Sequence, residues 1–220
     1  MKLLLAALAL AGLAAPIAMP AAAQAAPSTE LDRLTQLLVP EATMLQLARS
    51  TLDNDVVPPA IAARYAANPG MQAHVDRQVH AEVIRIVRRE LPTLRAAIAA
   101  IVSESLTPPE IADAAIFFAS PTGQKLYAAA IASLAARSGM TDAQAREAAM
   151  NAATASATQE DLPVLIAFGS SGAAAKMSPI NARVGTASRA WADRVVAENG
   201  DRLRALRLRA ADEFASKGGR

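Results

Sequence analysis

The stretch Leu106–Leu126, LTPPEIADAAIFFASPTGQKL, constrains the fold more than any other, because it dictates two helix starts and the corner between them. Thr107-Pro108-Pro109-Glu110 reads as a capping box. The Thr107 hydroxyl accepts from the amide of Glu110, and the Glu110 carboxylate reaches back. Pro108 falls at the first helical position, where its missing N–H costs nothing. Ile111, Ala114, Ala115 and Phe118 share one face at helical spacing. Ile116 and Phe117 load other faces, which predicts a helix buried nearly all round. Ser120-Pro121 is a second cap followed by a proline at the first position. Pro121 pushes Ser120 out of the helical region, so the chain turns there. Gly123 lies in the first turn of the next helix, where glycine costs roughly 1 kcal/mol against alanine. It reads as the point where this helix touches its neighbour.

Leu106-Thr107, Glu110-Ile111, Phe117-Phe118, Ser120-Pro121, Gly123 and Lys125-Leu126 together resemble the signature of domain-of-unknown-function family 2059. Its members are exported, helical bacterial envelope proteins with no assigned activity. Ala119 and Tyr127 depart from the usual pattern, both in variable slots. The resemblance covers residues 76–150 and implies an all-helical fold and a cell-envelope location. Thr107, Glu110, Phe117, Phe118, Ser120, Pro121, Gly123 and Lys125 carry it as structural residues. It implies no catalytic or binding residue.

The chain has 220 residues, 53% of them hydrophobic, which suffices for one domain with a core of its own. Alanine dominates and aromatic residues are 3%, so the core is built from small side chains and close helix contacts rather than a β-sandwich. The absence of cysteine excludes disulfides, thiolate catalysis and cysteine-based metal sites. The formal net charge of +2 is too small to point to nucleic acid.

Residues 1–25 read as a cleaved secretory signal peptide. Lys2 supplies the positive end, Leu3–Leu13 the apolar region, and cleavage falls after Ala23 or Ala25. No later run is long and apolar enough to span a membrane, so the mature protein is expected to be periplasmic or secreted. Residues 26–217 then form a single all-α domain, an irregular bundle of about eight helices.

Helices are predicted from Ser28 to Leu38, from Pro40-Glu41 to Asp53, and up to Tyr65. Asn68-Pro69-Gly70 breaks the chain. Met71, Val75, Val79, Val83, Val87 and Leu91 make an i,i+4 ridge on a long helix that Pro92 should kink or end, with Thr93–Val102 continuing in a new direction. Pro121–Arg137 is a helix ended by Ser138-Gly139. Thr141–Gln144 and Thr158–Asp161 repeat the capping-box pattern. Ser178-Pro179 is expected to cap the last long segment. That segment carries Ile180, Val184, Ala187, Trp191 and Val195 on one face, with Trp191 as a core anchor, is interrupted at Asn199-Gly200, and resumes with Leu203, Leu206, Ala210 and Phe214 on one side.

A weak echo runs through the second half. Thr107, Glu110, Phe118, Ser120, Gly123 and Lys125 recur as Thr158, Asp161, Phe168, Ser170, Gly172 and Lys176, with the spacing slipping by one residue in two places. A duplicated helical hairpin and convergence on similar corners both account for it.

Chemistry is sparse. His74 and His80 stand six residues apart, about 120° around a helix, and do not form the i,i+4 zinc pair. No nucleophile elbow, phosphate loop or dinucleotide fingerprint occurs. No catalytic residue, metal ligand or cofactor is therefore assigned. His74, Arg77, Arg85 and Arg88 form a basic stripe that could meet an anionic partner or simply face solvent. The expectation is a non-catalytic interaction or scaffold protein of the envelope. The alternative is a small apolar-ligand carrier with a pocket lined by Phe117, Phe118 and Trp191. Either reading leaves a homo-oligomer open, with a protein or small molecule of the envelope as partner.

Overall fold

The computed structural model describes residues 28–53, 57–135 and 141–218. The signal-peptide reading, both cleavage positions and the Ser138-Gly139 stop lie outside the described residues. Among those residues the structure is helical throughout: α1 (Ser28–Leu38), α2 (Glu41–Asp53), α3 (Pro59–Ala67), α4 (Met71–Ser105), α5 (Pro108–Ala119), α6 (Pro121–Ala135), α7 (Asp142–Ser156), α8 (Leu162–Gly169) and α9 (Gly172–Ser216). A turn of 3-10 helix, Gln159–Asp161, leads into α8.

The axle of the molecule is α4 packed antiparallel on α9. Glu82 meets Arg202 at 3.0 Å, and Glu90 meets Arg194 at 3.3 Å. Glu104 meets Arg183 further along. As the α4 number rises the α9 number falls, which fixes the direction. The ridge expected on α4 is there: Met71, Val75, Val79, Val87 and Leu91 are buried, and Val83 packs beside them. Leu94, Ile98, Ile101 and Val102 continue it without a break.

Two helix ends expected at prolines do not occur. Pro92 lies inside α4, which runs unbroken for 35 residues, and Pro179 lies inside α9, which runs for 45. Both prolines sit on exposed turns, where a backbone carbonyl that loses its partner is open to water. The opposite face stays packed and carries the helix through. Asn199-Gly200 does not interrupt α9 either. Asn199 is buried, donates to the Val195 carbonyl at 2.8 Å, and accepts from Arg89 of α4 at 3.2 Å. Packing along α4 outweighs the glycine's cost in helix propensity, about 1 kcal/mol.

Two cores share this axle. The larger joins α1, α2, α4, α5 and the first half of α9 through Leu34, Val39, Leu45, Leu94, Ile98, Ile111 and Ile180. Trp191 packs against it, and its indole N–H donates to the Glu90 carbonyl at 3.1 Å. The smaller sits at the far end of the axle, where Met71, Val75 and Val79 meet Ala210, Ala211 and Phe214. A third contact joins α6 to α7 through Ala130, Ile131 and Ala149.

Candidate functional site: two corners joined crosswise

The first corner forms much as its sequence demands. The Thr107 N–H donates to the Glu110 carboxylate at 2.7 Å and its hydroxyl donates there at 2.9 Å. At the next cap, the Gly123 N–H donates to the Ser120 hydroxyl oxygen at 3.0 Å. Gly123 is required by close approach, because a Cβ there would stand 2.0 Å from the Phe117 carbonyl oxygen. α5 is not buried all round, however. Ile111, Ala114 and Ala115 are enclosed, Phe117 and Phe118 are half-buried, and Ile116 is 66% exposed. One stripe meets α1 and the core, and among the described residues no element covers the side that carries Ile116.

The second corner copies the first. The Thr158 N–H and hydroxyl donate to the Asp161 carboxylate at 2.7 and 2.9 Å. The Ser171 hydroxyl accepts from the Ala174 amide at 3.2 Å, as Ser120 accepts from Gly123. The correspondence holds at a constant offset of 51 residues, with no slip. Thr107 matches Thr158, Glu110 matches Asp161, Phe117 matches Phe168, Ser120 matches Ser171 and Lys125 matches Lys176. The expected pairings of Phe118 with Phe168, Ser120 with Ser170 and Gly123 with Gly172 were therefore out of register. Gly172 stands level with Pro121. It is small because Glu110 occupies the space, where a Cβ would lie 2.6 Å from the carboxylate.

The corners hold each other crosswise. Lys176 of the second reaches Glu110 of the first at 2.7 Å. Lys125 of the first reaches Asp161 of the second, which also accepts from Thr122 at 2.8 Å. Between the two ion pairs Phe117 and Phe168 stack, with ring centroids 4.0 Å apart and planes 8° from parallel. Position i of one unit meets position j of the other and the reverse, the contact pattern of a two-fold relation.

This arrangement fixes charge. Lys125, then the Thr158 amide and Thr122, hold the Asp161 carboxyl far below the usual carboxylate range. Burial pushes the Glu110 carboxyl up, but the hydrogen bonds from Lys176 and Thr107 outweigh it and leave it below its ordinary value. Both acids are ionised at neutral pH and already hold several donors, which suits clamping rather than proton transfer. Phe118 meets Tyr127 edge-on, and burial raises the Tyr127 phenol above its usual value while it donates to the Leu38 carbonyl at 2.7 Å.

The basic stripe is largely engaged within the chain. Arg85 pairs with Glu82 and Arg88 with Glu41 of α2. His74 hydrogen-bonds Gln78 and packs against the Phe214 ring, while Arg77 is exposed. Among the described residues no three His, Cys, Asp or Glu side chains converge as metal ligands, and no helix is long and apolar enough to cross a membrane. A depression of about 420 Å³, open to solvent, is lined by Thr158, Gln159 and Glu160.

Sequence reasoning passed over Thr122 and the crossing of the lysines. The constant offset was the signal for the paired lysines and acids, whereas Thr122 falls level with Ala173 and had no such signal. Residues 92–151 match the family model described as an uncharacterized protein conserved in bacteria (DUF2059), so the matched segment begins at Pro92 rather than at residue 76. No curated protein and no solved structure matches the chain.

Proposed function

From a chain whose residues 92–151 match a bacterial family of uncharacterized proteins, we propose a non-catalytic interaction or scaffold protein of the cell envelope, exported through residues 1–25. One observation carries this reading: α8, LPVLIAFG, is apolar from end to end and buries none of its residues. A contiguous apolar face left open to water marks a contact surface. The acids best placed for chemistry, Glu110 and Asp161, are held ionised by lysines and threonines and serve the fold. The side chains that a carrier would turn toward a ligand are turned toward each other instead. Phe117 lies on Phe168, Phe118 on Tyr127, and Trp191 against the backbone of α4.

Native mass spectrometry of the protein recovered from a Gram-negative periplasm tests the reading. The expected spectrum shows bare polypeptide, single or multimeric, with a mass that starts after Ala23 or Ala25. A retained non-covalent mass of a few hundred daltons would overturn it in favour of a carrier. Recovery only with the cytoplasm would overturn the envelope location.

A further inference from the structure

The 51-residue offset lets the two units be compared position by position. On α5, Ile111, Ala114 and Ala115 are fully buried, and α1 packs over this helix. The equivalent positions on α8 are Leu162, Leu165 and Ile166. They are at least as apolar and mostly larger, yet Leu162 is 47% and Ile166 69% exposed. Among the described residues α8 packs chiefly on α5, α9 and the 3-10 turn before it. Among the described residues nothing does for α8 what α1 does for α5.

Stacked repeats end in a cap whose outer face is polar. α1 serves so on the first unit, with Asp32, Arg33 and Gln36 turned to solvent. The second unit ends on bare leucine and isoleucine. We propose that α8 is the contact surface for α8 of a second copy of this chain, so that two second units cover each other about a two-fold axis. The inference rests on reading the protein as an interaction module and names its partner as itself.

Three features favour a like copy. The unit already packs on its like within the chain, through the Phe117–Phe168 stack and the crossed ion pairs. α8 has no charged residue, so an antiparallel copy buries no charge. It also sets the two exposed Glu160 side chains at opposite ends and opposes the helix dipoles. An anionic lipid surface is disfavoured, because no lysine or arginine occurs from residue 157 to residue 175. The face is short: eight residues of helix extend about 12 Å, so the interface falls at the small end of specific contacts and the dimer is expected to be micromolar.

The test is sedimentation velocity on residues 26–220 from about 1 to 200 µM. The expected result is a monomer–dimer equilibrium that Ile166→Glu weakens by about tenfold or more, with an unchanged melt at low concentration. Leu208→Glu, on an equally apolar exposed position far along α9, should leave the equilibrium alone. A protein monomeric throughout the range overturns the proposal, as does a dimer indifferent to Ile166→Glu. A monomer that floats with phosphatidylcholine vesicles also overturns it and assigns α8 to lipid. The first two outcomes leave the wider interaction reading standing, which falls to a bound small molecule in the native spectrum, while flotation replaces a protein partner with a membrane one.

Discussion

Gly123 decides whether α5 and α6 can meet at their corner. The Phe117 carbonyl oxygen that a Cβ would strike accepts from the Ser120 N–H at 3.0 Å and the Ser120 hydroxyl at 2.7 Å, so it cannot step aside. Gly123→Ala is expected to cost about 1–3 kcal/mol, the usual penalty for overpacking. In a chain of this size that lowers the melting temperature by about 2–4 °C for each kcal/mol. Gly169→Ala is the matched control: nothing lies within 4 Å of its Cβ position, and the change should be neutral or stabilising by up to about 1 kcal/mol. Urea titration of both variants checks the pair, and equal midpoints would remove the close approach as the reason for Gly123. This glycine was legible because a glycine early in a helix is unfavourable unless space demands it. Gly172 was not, since what fills its space is Glu110, 62 positions earlier.

At the scale of elements, the crossed lysines link the starts of α6 and α9 to the opposite corner's acid. Both acids titrate lower in the folded chain than the ordinary carboxylate value of about 4. Between their folded and unfolded values the unfolded chain binds more protons, so stability rises with pH there and is complete above about pH 5. It is lost as pH falls through the folded values. The double variant Lys125→Met/Lys176→Met should be less stable than wild type at pH 7 and should lose less further stability on acidification. Urea midpoints from about pH 7 to 2.5 measure both slopes, and parallel curves would mean the lysines do not set these acids. Pro92 gives a second test. Alanine there restores an i→i−4 hydrogen bond in a helix whose packed face is already continuous, and should stabilise by about 1 kcal/mol or more. A loss in urea would show instead that α4 needs the backbone geometry that proline imposes to pack along α9. Helix identity was readable from periodicity and caps. Helix continuity was not, because the breaking tendencies of Pro92, Pro179 and Asn199-Gly200 are local while the packing that overrides them joins residues about a hundred positions apart.

Across the whole molecule, the axle of α4 and α9 carries two cores that differ in how many elements support them. The larger is closed by α1, α2 and α5. The smaller relies on Phe214, Ala210 and Ala211 covering Met71, Val75 and Val79, with only Tyr65 of α3 and Leu52 at the end of α2 alongside from other elements among the described residues. α3 itself buries no residue and is tied down by the Arg64–Asp212 ion pair at 2.6 Å, an exposed contact of small value. The far end should therefore open on its own, below the free energy of global unfolding. Phe214→Ala removes its largest apolar group and should cost about 3–5 kcal/mol there. Hydrogen exchange read by peptide mass tests this. Amides near 71–79 and 206–216 should lose protection by orders of magnitude, while those of 94–102 and 111–118 keep theirs. Uniform loss across both regions would instead make the axle one cooperative unit. The same division bears on the interaction surface, because α8 is anchored through α5 and α9 beside the larger core. A Phe214→Ala chain should thus retain the wild-type monomer–dimer equilibrium even with its far end open.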